Sequence, residues 1–345
     1  MSKVAMITVG ADEAEQRVDR WFRRRYPHIG QGRIEKMCRK GEIRVDGGRV
    51  KASSRINPGQ VVRVPPLPDE AAVAPMTGES RSEVPDEARE RILRAVVHRD
   101  EHILVLNKPA GLAVQGGTGQ SLHLGALLPT LRFDRDDDPR LVHRLDRDTS
   151  GVLVLARTGR AAERLGRQFA GRDVTKLYFA AVAGRPEPSA GTIRYGLVKS
   201  RRSGAERVET VHPGAVSDTD GARHAVTDYR VIEQAGSRAA WVALWPRTGR
   251  THQLRAHMAA LGCPIAGDGK YGGRGQTNEG DGWGAGLGGG ISRKLHLHAA
   301  RLTLSHPSDG RNVTYRADLP EHMERTWEMF GWRFEDVPED MLVPE

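Results

Sequence analysis

His143-Arg144-Leu145-Asp146-Arg147-Asp148-Thr149-Ser150-Gly151 runs straight into Val152-Leu153-Val154-Leu155-Ala156. The second stretch is short, continuous and apolar, and reads as a buried strand. The first carries charge and hydroxyl groups up to its edge, behind a loop rich in Asp and Pro. Polar groups packed against a buried strand are costly unless they are paired. A fold that accepts that cost usually does so at a site. The bland alternative is a capped turn, in which Asp146 or Asp148 bonds backbone N–H groups and Thr149 and Ser150 shape the bend.

The chain of 345 residues is long enough for two domains, one of them with a sizeable core. A formal charge of +9 suggests a polyanionic partner. Aromatic residues are scarce at 5%, so charge contacts rather than aromatic stacking platforms are expected to dominate binding of such a partner. Cys38 and Cys263 stand far apart, outside any Cys-x-x-Cys pair, and read as small buried hydrophobes in a reducing cytoplasm. Met1-Ser2-Lys3-Val4-Ala5-Met6 has no long apolar core of a signal peptide, and no 18-residue apolar run marks a transmembrane helix.

Most of the excess charge sits at residues 12–64, with 14 Lys/Arg against 7 Asp/Glu. Val18, Trp21 and Phe22 fall at i, i+3, i+4, which predicts an amphipathic helix whose other face carries Arg17, Arg20, Arg23, Arg24 and Arg25. A second helix turns Ile34, Met37 and Cys38 inward and Arg33, Lys36, Arg39 and Lys40 outward, with Gly41 placed to end it. Ile43-Arg44-Val45, an Asp46-Gly47-Gly48 turn, Arg49-Val50-Lys51 and Val61-Val62-Arg63-Val64 follow as short strands. Two adjacent helices basic on one side make a patch, where one alone is usually a solvated face. Residues 67–90 read as a solvated linker that tethers this module (12–66) to the domain at 91–320. Residues 321–345 hold 8 acids and 2 arginines and read as an acidic tail facing away from a polyanionic partner.

In the larger domain, Ile103-Leu104-Val105-Leu106 is a buried strand, and Asn107-Lys108-Pro109-Ala110-Gly111 turns the chain. Gly116, Gly117 and Gly119 lack the Gly-Lys-Ser/Thr of a nucleotide cradle. Asp134, Asp136, Asp137 and Asp138 lack calcium-loop spacing and read as a solvated loop. Arg160–Ala170 is helical, and Lys176-Leu177-Tyr178 opens a strand. In Thr248-Gly249-Arg250-Thr251-His252-Gln253-Leu254-Arg255-Ala256-His257, Thr251 can cap a helix that puts His252, Arg255 and Ala256 on one face. His252 and His257 read as structural hydrogen-bonding groups rather than metal ligands. Residues 272–290 are a glycine-rich loop, and Leu295-His296-Leu297-His298-Ala299-Ala300 resumes a strand whose histidines belong to the framework.

The nonapeptide at 143–151 resembles the catalytic motif of the RluA/RluC/RluD-type pseudouridine synthases. Val105–Gly119 resembles the strand, turn and loop ahead of that motif, the RluC branch most of all, and Gly262–Gly272 with Asp268 and Tyr271 resembles a later stretch. Arg17-Val18-Asp19 and Lys40-Gly41-Glu42-Ile43-Arg44-Val45-Asp46-Gly47 resemble an S4-like RNA-binding domain, with Asp46 where that domain often has Asn. The resemblance spans residues 15–64 and 91–320 in the family's order. It implies an α+β fold: a small S4-like domain, then a catalytic domain on a mixed, mainly antiparallel sheet with flanking helices and loops. It implies isomerisation of uridine to pseudouridine, in large-subunit ribosomal RNA, by a cytoplasmic monomer. By resemblance Asp146 is the nucleophile, Arg255 its partner, Tyr178 the residue that stacks on the uracil, and Arg144 the group that fills the gap left by the extruded base. The reaction adds and removes no group, so no cofactor or metal is expected. The competing readings are a non-catalytic RNA-binding or assembly factor, a synthase acting on transfer RNA, and an N-glycosidase that releases uracil.

Overall fold

The computed structural model describes residues 4–10, 13, 15–67, 84–116, 122–199, 207–272 and 291–343. The chain divides into two units, Met1–Glu83 and Val84–Glu345.

The first unit holds β1 (Ala5–Thr8), α1 (Val18–Arg25), α2 (Gln31–Lys40), β2 (Arg44–Val45), β3 (Gly48–Arg49) and β4 (Val61–Val64). Its sheet order is β1-β4-β2-β3. Val18, Trp21 and Phe22 of α1 and Ile34, Met37 and Cys38 of α2 are buried together, as their spacing predicts. Gly41 ends α2 at φ 71° and donates its N–H to the Cys38 carbonyl. Asp46 and Gly47, at φ 48° and 76°, form the two-residue loop of the β2–β3 hairpin, a conformation that Asp tolerates. The unit starts before the expected boundary at residue 12, because β1 pairs with β4 from Ala5↔Val64 to Thr8↔Val61. Four residues of alternating burial make too short a pattern to stand out from the sequence.

The expected linker falls largely on 68–83, outside the described residues, as do Gly117, Gly119 and residues 273–290 of the expected loop. Its last part is structured, because α3 (Asp86–Arg94) packs Ile92 into the second unit. The unit continues with β5 (Val96–Arg99), β6 (Ile103–Lys108), α4 (Leu124–Leu127), β7 (Arg140–Leu141), β8 (Ser150–Ala156), α5 (Gly159–Gly171), β9 (Thr175–Ala183), β10 (Ala190–Lys199), β11 (Val208–Val211), β12 (Arg223–Ala235), β13 (Ala239–Pro246), α6 (Gln253–Ala260), β14 (Leu297–Ser305), β15 (Asn312–Arg316) and α7 (Glu321–Phe330). Eleven strands form one sheet in the order β11-β10-β12-β13-β9-β14-β8-β6-β5, with β15 on β14 and β7 on β8. β14 and β8 run parallel, and the other strand pairs described in this sheet are antiparallel. The fold is therefore α+β on a mixed, mainly antiparallel sheet.

β8 is buried along its whole length because both faces of the sheet are covered there. Leu153 and Leu155 pack with Leu104, Leu106, Leu124 and Leu127 on one side. Val152 and Val154 pack with Val105 and with Ala161 and Leu165 of α5 on the other. The same alternation divides β9 and β13. Phe179, Trp241 and Trp245 meet Met323 and Trp327 of α7, whereas Ala180, Val182, Val242 and Leu244 meet Leu254 and Met258 of α6.

The described part of the expected acidic tail, residues 321–343, is packed: α7 buries Met323, Thr326 and Trp327, and Trp332 follows them into the same core. The acids Glu321, Glu324 and Glu328 occupy its exposed positions. Charge counting registered that face and missed Met323, Trp327 and Phe330 at apolar spacing. Among the described residues no helix is long and apolar enough to cross a membrane.

Where β8 begins, Gly151 has φ 109°, and a Cβ built there would stand 2.2 Å from the Ala299 carbonyl oxygen of β14. Gly151→Ala is expected to lower unfolding stability by about 3 kcal/mol or more through backbone strain and overpacking. Gly166→Ala in α5, whose new methyl meets nothing within 4 Å, is the matched control. Urea denaturation decides the matter, and an alanine at position 151 as stable as wild type rules out the close approach.

Candidate active site

Asp146 lies four residues ahead of β8, in a cavity of about 280 Å³ on the α6 side of the sheet. Tyr178, Arg144 and Arg255 line the same cavity. Three of the four predicted site side chains come from different elements: the loop before β8, strand β9 and helix α6. Register brings the first two together, because Gly151 and Tyr178 both pair with Ala299 of β14. Asp146 is the one carboxylate among the described residues lining the cavity.

The loop carrying Asp146 is pinned at both ends. Leu145 sinks into the core beside Leu153 and Leu155. The Arg147 carbonyl accepts the Gly111 N–H and the Lys108 ammonium, each at 3.0 Å, and Arg147 Nε donates back to the Gly111 carbonyl at 3.2 Å. The turn 107–111 is thus the shelf on which the loop rests. At the other end Ser150 Oγ lies 2.9 Å from His298 Nδ1, and His298 Nε2 donates to the Ala317 carbonyl. That donation leaves Nδ1 to accept, so Ser150 donates. Burial holds the His298 imidazole neutral, with its pKa lowered to about 4. His143, at the head of the motif, stacks on Phe169 with ring centroids 4.2 Å apart and accepts the Val154 N–H at 2.9 Å.

Lys108, read from sequence only as a turn residue, is fully buried. Its ammonium donates to the Pro109, Leu112 and Arg147 carbonyls at 2.9, 2.9 and 3.0 Å. Burial lowers its pKa to about 7, opposed by the nearby Asp148 and Asp146. Lys108→Met removes one of the two donors to the Arg147 carbonyl and should lower kcat by about 10–100-fold, by the loss of about 1–3 kcal/mol from a buried hydrogen-bonded group. The depressed pKa also sets a sign. Between about 7 and 10.5 the unfolded chain keeps a proton on Lys108 that the folded chain releases, so this residue makes folding more favourable as pH rises through that window. The stability of wild type relative to Lys108→Met should therefore increase from pH 7 to 10 in parallel denaturation series. A constant difference contradicts a buried titrating lysine.

Arg255 is not devoted to Asp146. It makes a bidentate bond to Asp268, with Nε and Nη2 each 2.7 Å from a carboxylate oxygen, and its Nη1 stands 4.0 Å from Asp146 Oδ2. Asp268 is buried and also accepts the N–H groups of Lys270 and Tyr271. Burial opposes the Arg255 charge, but Asp268, with Asp146 beyond it, outweighs this and raises the pKa. The guanidinium is thus held rigid by one acid while it faces the other. Asp268 carried no role in the sequence reading, and its place in the Gly262–Gly272 stretch was the available signal.

Tyr178 points to the cavity from the parity of β9 that faces α6. Burial, with the Asp146 charge beside it, pushes its pKa well above the ordinary tyrosine value. The phenol therefore stays protonated at any physiological pH and serves as a hydrogen-bond donor, not a resident base.

Helix α6 starts differently from expectation. Thr251 does not cap it: His252 takes the N-cap position at φ 52°, with no side-chain capping bond. Gln253 holds this turn instead, accepting from Thr248 Oγ1 and the Arg250 N–H and donating to the Val226 carbonyl and Thr227 Oγ1. His252 Nδ1 lies 3.0 Å from the Tyr271 hydroxyl and His257 Nδ1 2.9 Å from Thr227 Oγ1. Both histidines thus have structural partners, and no group of three metal-ligating side chains occurs among the described residues.

In the first unit Arg20, Arg24, Arg33, Lys36, Arg39 and Lys40 are exposed on α1 and α2. Arg17 is less available than expected, because Asp19 holds it in a bidentate bond. Arg25 is likewise held by Glu13 and lies over Trp21. In the acidic loop of the second unit, Asp134 pairs with buried Arg157, Asp138 with Arg132 and Asp137 with Arg140, so three of its four acids are paired.

The sequence model of the RNA pseudouridylate synthase family matches residues 102–260. Ribosomal large subunit pseudouridine synthase C of Vibrio cholerae is 34% identical over 333 residues, 94% of this chain and 96% of that protein. Its namesake from Escherichia coli is 35% identical over 331 residues, 93% and 95% of the two chains. Among solved structures, human RNA pseudouridylate synthase domain containing 4 superimposes with a TM-score of 0.59 at 31% identity, over 71% of this chain and 96% of its own.

Proposed function

The chain belongs to the RNA pseudouridylate synthase family, and from that premise we propose that it isomerises specific uridines of large-subunit (23S) ribosomal RNA, with Asp146 as the nucleophile. The observation that carries the reading is the convergence of Asp146, Tyr178 and Arg255 on one cavity. The substrate class rests on the relatives matched over nearly their whole length, whose names specify the ribosomal large subunit.

The reaction breaks the N1–C1′ bond, turns the uracil, joins C5 to C1′, removes the C5 proton and returns one to N1. Asp146 attacks as a carboxylate, at C1′ or at C6 of the base. Arg255 faces that carboxylate across 4.0 Å and sets a fixed positive charge beside it. Tyr178 stacks on the base and passes the C5 proton on, to Asp146 or to water, because its own hydroxyl is protonated to begin with. The target must leave the RNA stack to reach the cavity. Arg144, exposed at its mouth, offers a planar guanidinium to the gap. The reaction is redox-neutral and transfers no group, so these side chains suffice without a cofactor. The exposed Arg20, Arg24, Arg33, Lys36, Arg39 and Lys40 of the S4-like unit bind RNA phosphates. The enzyme works as a cytoplasmic monomer.

Chemical mapping of pseudouridine across ribosomal RNA tests this. Sites present in wild type, lost on deletion of the gene and not restored by Asp146→Ala would establish both the substrate and the nucleophile. Persistence of every large-subunit site in the deletion strain, with loss in transfer RNA, would move the substrate to transfer RNA.

A further inference from the structure

The active-site cavity does not end at Tyr178. Phe169, Lys176, Pro246, Thr248, Gly249 and Arg250 also line a second depression of about 530 Å³. That depression in turn shares Arg172, Trp245, Arg247 and Thr248 with a third, of about 440 Å³, which reaches Arg194 and Arg230. The three form a continuous groove that leaves the site at β9, crosses β13 and β12 and arrives at β10.

Its charge is one-sided. Arg172, Lys176, Arg194, Arg230, Arg247 and Arg250 line its outer two sections, against the single carboxylate of Asp228. That carboxylate is already occupied, accepting from Arg247 and from Thr192 Oγ1. No acid among the described residues stands within ion-pair distance of Arg172 or Arg194. Arg172 is fixed at the C-terminal end of α5, at φ 70°, with its own N–H on the Gln168 carbonyl. Arg250 is half-buried, and among the described residues its side chain donates to the His224 carbonyl, at 3.3 Å. Burial, then the neighbouring charges of Arg223 and Arg172, pull its pKa below the ordinary arginine value. Guanidinium groups crowded together without an interposed acid repel one another, and an anion between them relieves the cost.

We propose that this groove binds the RNA backbone flanking the target uridine, with Arg172, Arg194 and Arg250 contacting its phosphates, so that the catalytic unit grips RNA independently of the basic helices of the first unit. Part of this rests on the function proposed above, which supplies the RNA. Phosphate contact at the groove would fix the strand's register over the cavity, because the groove opens from that cavity.

The test uses the full chain and in vitro transcribed large-subunit ribosomal RNA. Arg172→Glu combined with Arg194→Glu should raise the dissociation constant at least tenfold at physiological salt. Two lost phosphate contacts should also make the plot of log affinity against log salt shallower by about 1.4–1.8. In turnover assays the deficit should fall on KM rather than kcat. The neutral pair Arg172→Gln, Arg194→Gln should shift affinity in the same direction by less. Arg160→Glu with Arg311→Glu, both exposed outside the groove, changes net charge equally and is the control. Groove variants that match this control in affinity and salt slope overturn the proposal. Absence of pseudouridine from wild-type reactions would instead overturn the functional reading, while the binding comparison still decides the groove.

Discussion

Asp146→Asn is expected to reduce pseudouridine formation by at least about 10⁴-fold, the scale on which enzymes lose kcat with their nucleophile. RNA carrying tritium at C5 of uridine reports this directly, because isomerisation releases that hydrogen to water. The amide keeps the shape of the side chain and removes the charge and the nucleophilic oxygen. No other carboxylate among the described residues lines the cavity to substitute for it. Folding should change little. The Asp146 side chain is 22% exposed, and its distant partner Arg255 keeps the bidentate bond to Asp268. RNA affinity should therefore survive where catalysis does not. Tritium release above about one hundredth of the wild-type rate would exclude Asp146 as nucleophile, and release of free uracil by wild type would point to glycosidic cleavage. Survival of every cellular function in Asp146→Ala would favour the RNA-binding factor over the enzyme.

The second large effect belongs to Arg255 and Asp268. Arg255→Met leaves the fully buried Asp268 carboxylate without its counter-charge, and breaking a buried pair from one side costs about 3–5 kcal/mol. Activity should vanish with it. Stability loss alone would explain that result, so the double variant Arg255→Met, Asp268→Leu carries the argument. Replacing both partners by apolar groups of similar size is often neutral, so much of the stability should return. Activity should not, because Asp146 then faces no cation at 4.0 Å. Recovery of activity together with stability would reduce Arg255 to a structural role. Denaturation and tritium release measured on the same three proteins separate the two outcomes.

How much of this was legible in the sequence depended on range. The apolar run at 152–156, the inward residues of α1 and α2 and the Asp46-Gly47 turn were readable because each is decided within a few residues. Asp146, Tyr178 and Arg255 were singled out on motifs, and the fold brings all three to one cavity. What escaped were partnerships made across the chain. Arg255 was matched to Asp146, but the stronger bond goes to Asp268, whose carboxylate is presented by a turn beyond the helix. Lys108 read only as a turn residue. Only the return of the motif loop, nearly forty positions later, encloses it and supplies an acceptor. The C-terminal segment was misread because eight acids outweighed, in a charge count, four apolar positions that decide packing.

Strand order carries a consequence for biosynthesis. Residues 297–305 occupy the middle of the sheet, between a half built from β5, β6, β7 and β8 and a half built from β9, β13, β12, β10 and β11. Asp146 belongs to the first half, and Tyr178 and Arg255 to the second. β14 is the seam between them, and it emerges from the ribosome after both. Until it inserts, Asp146, Tyr178 and Arg255 have no common scaffold, however well each half has folded. A nascent or prematurely terminated chain therefore carries the motifs without the reactivity. Such a chain also exposes the unpaired edge of β9 and the start of β8 that β7 leaves uncovered, which invite self-association. Competence to modify RNA arrives in one late step, after the strands of both halves have been made.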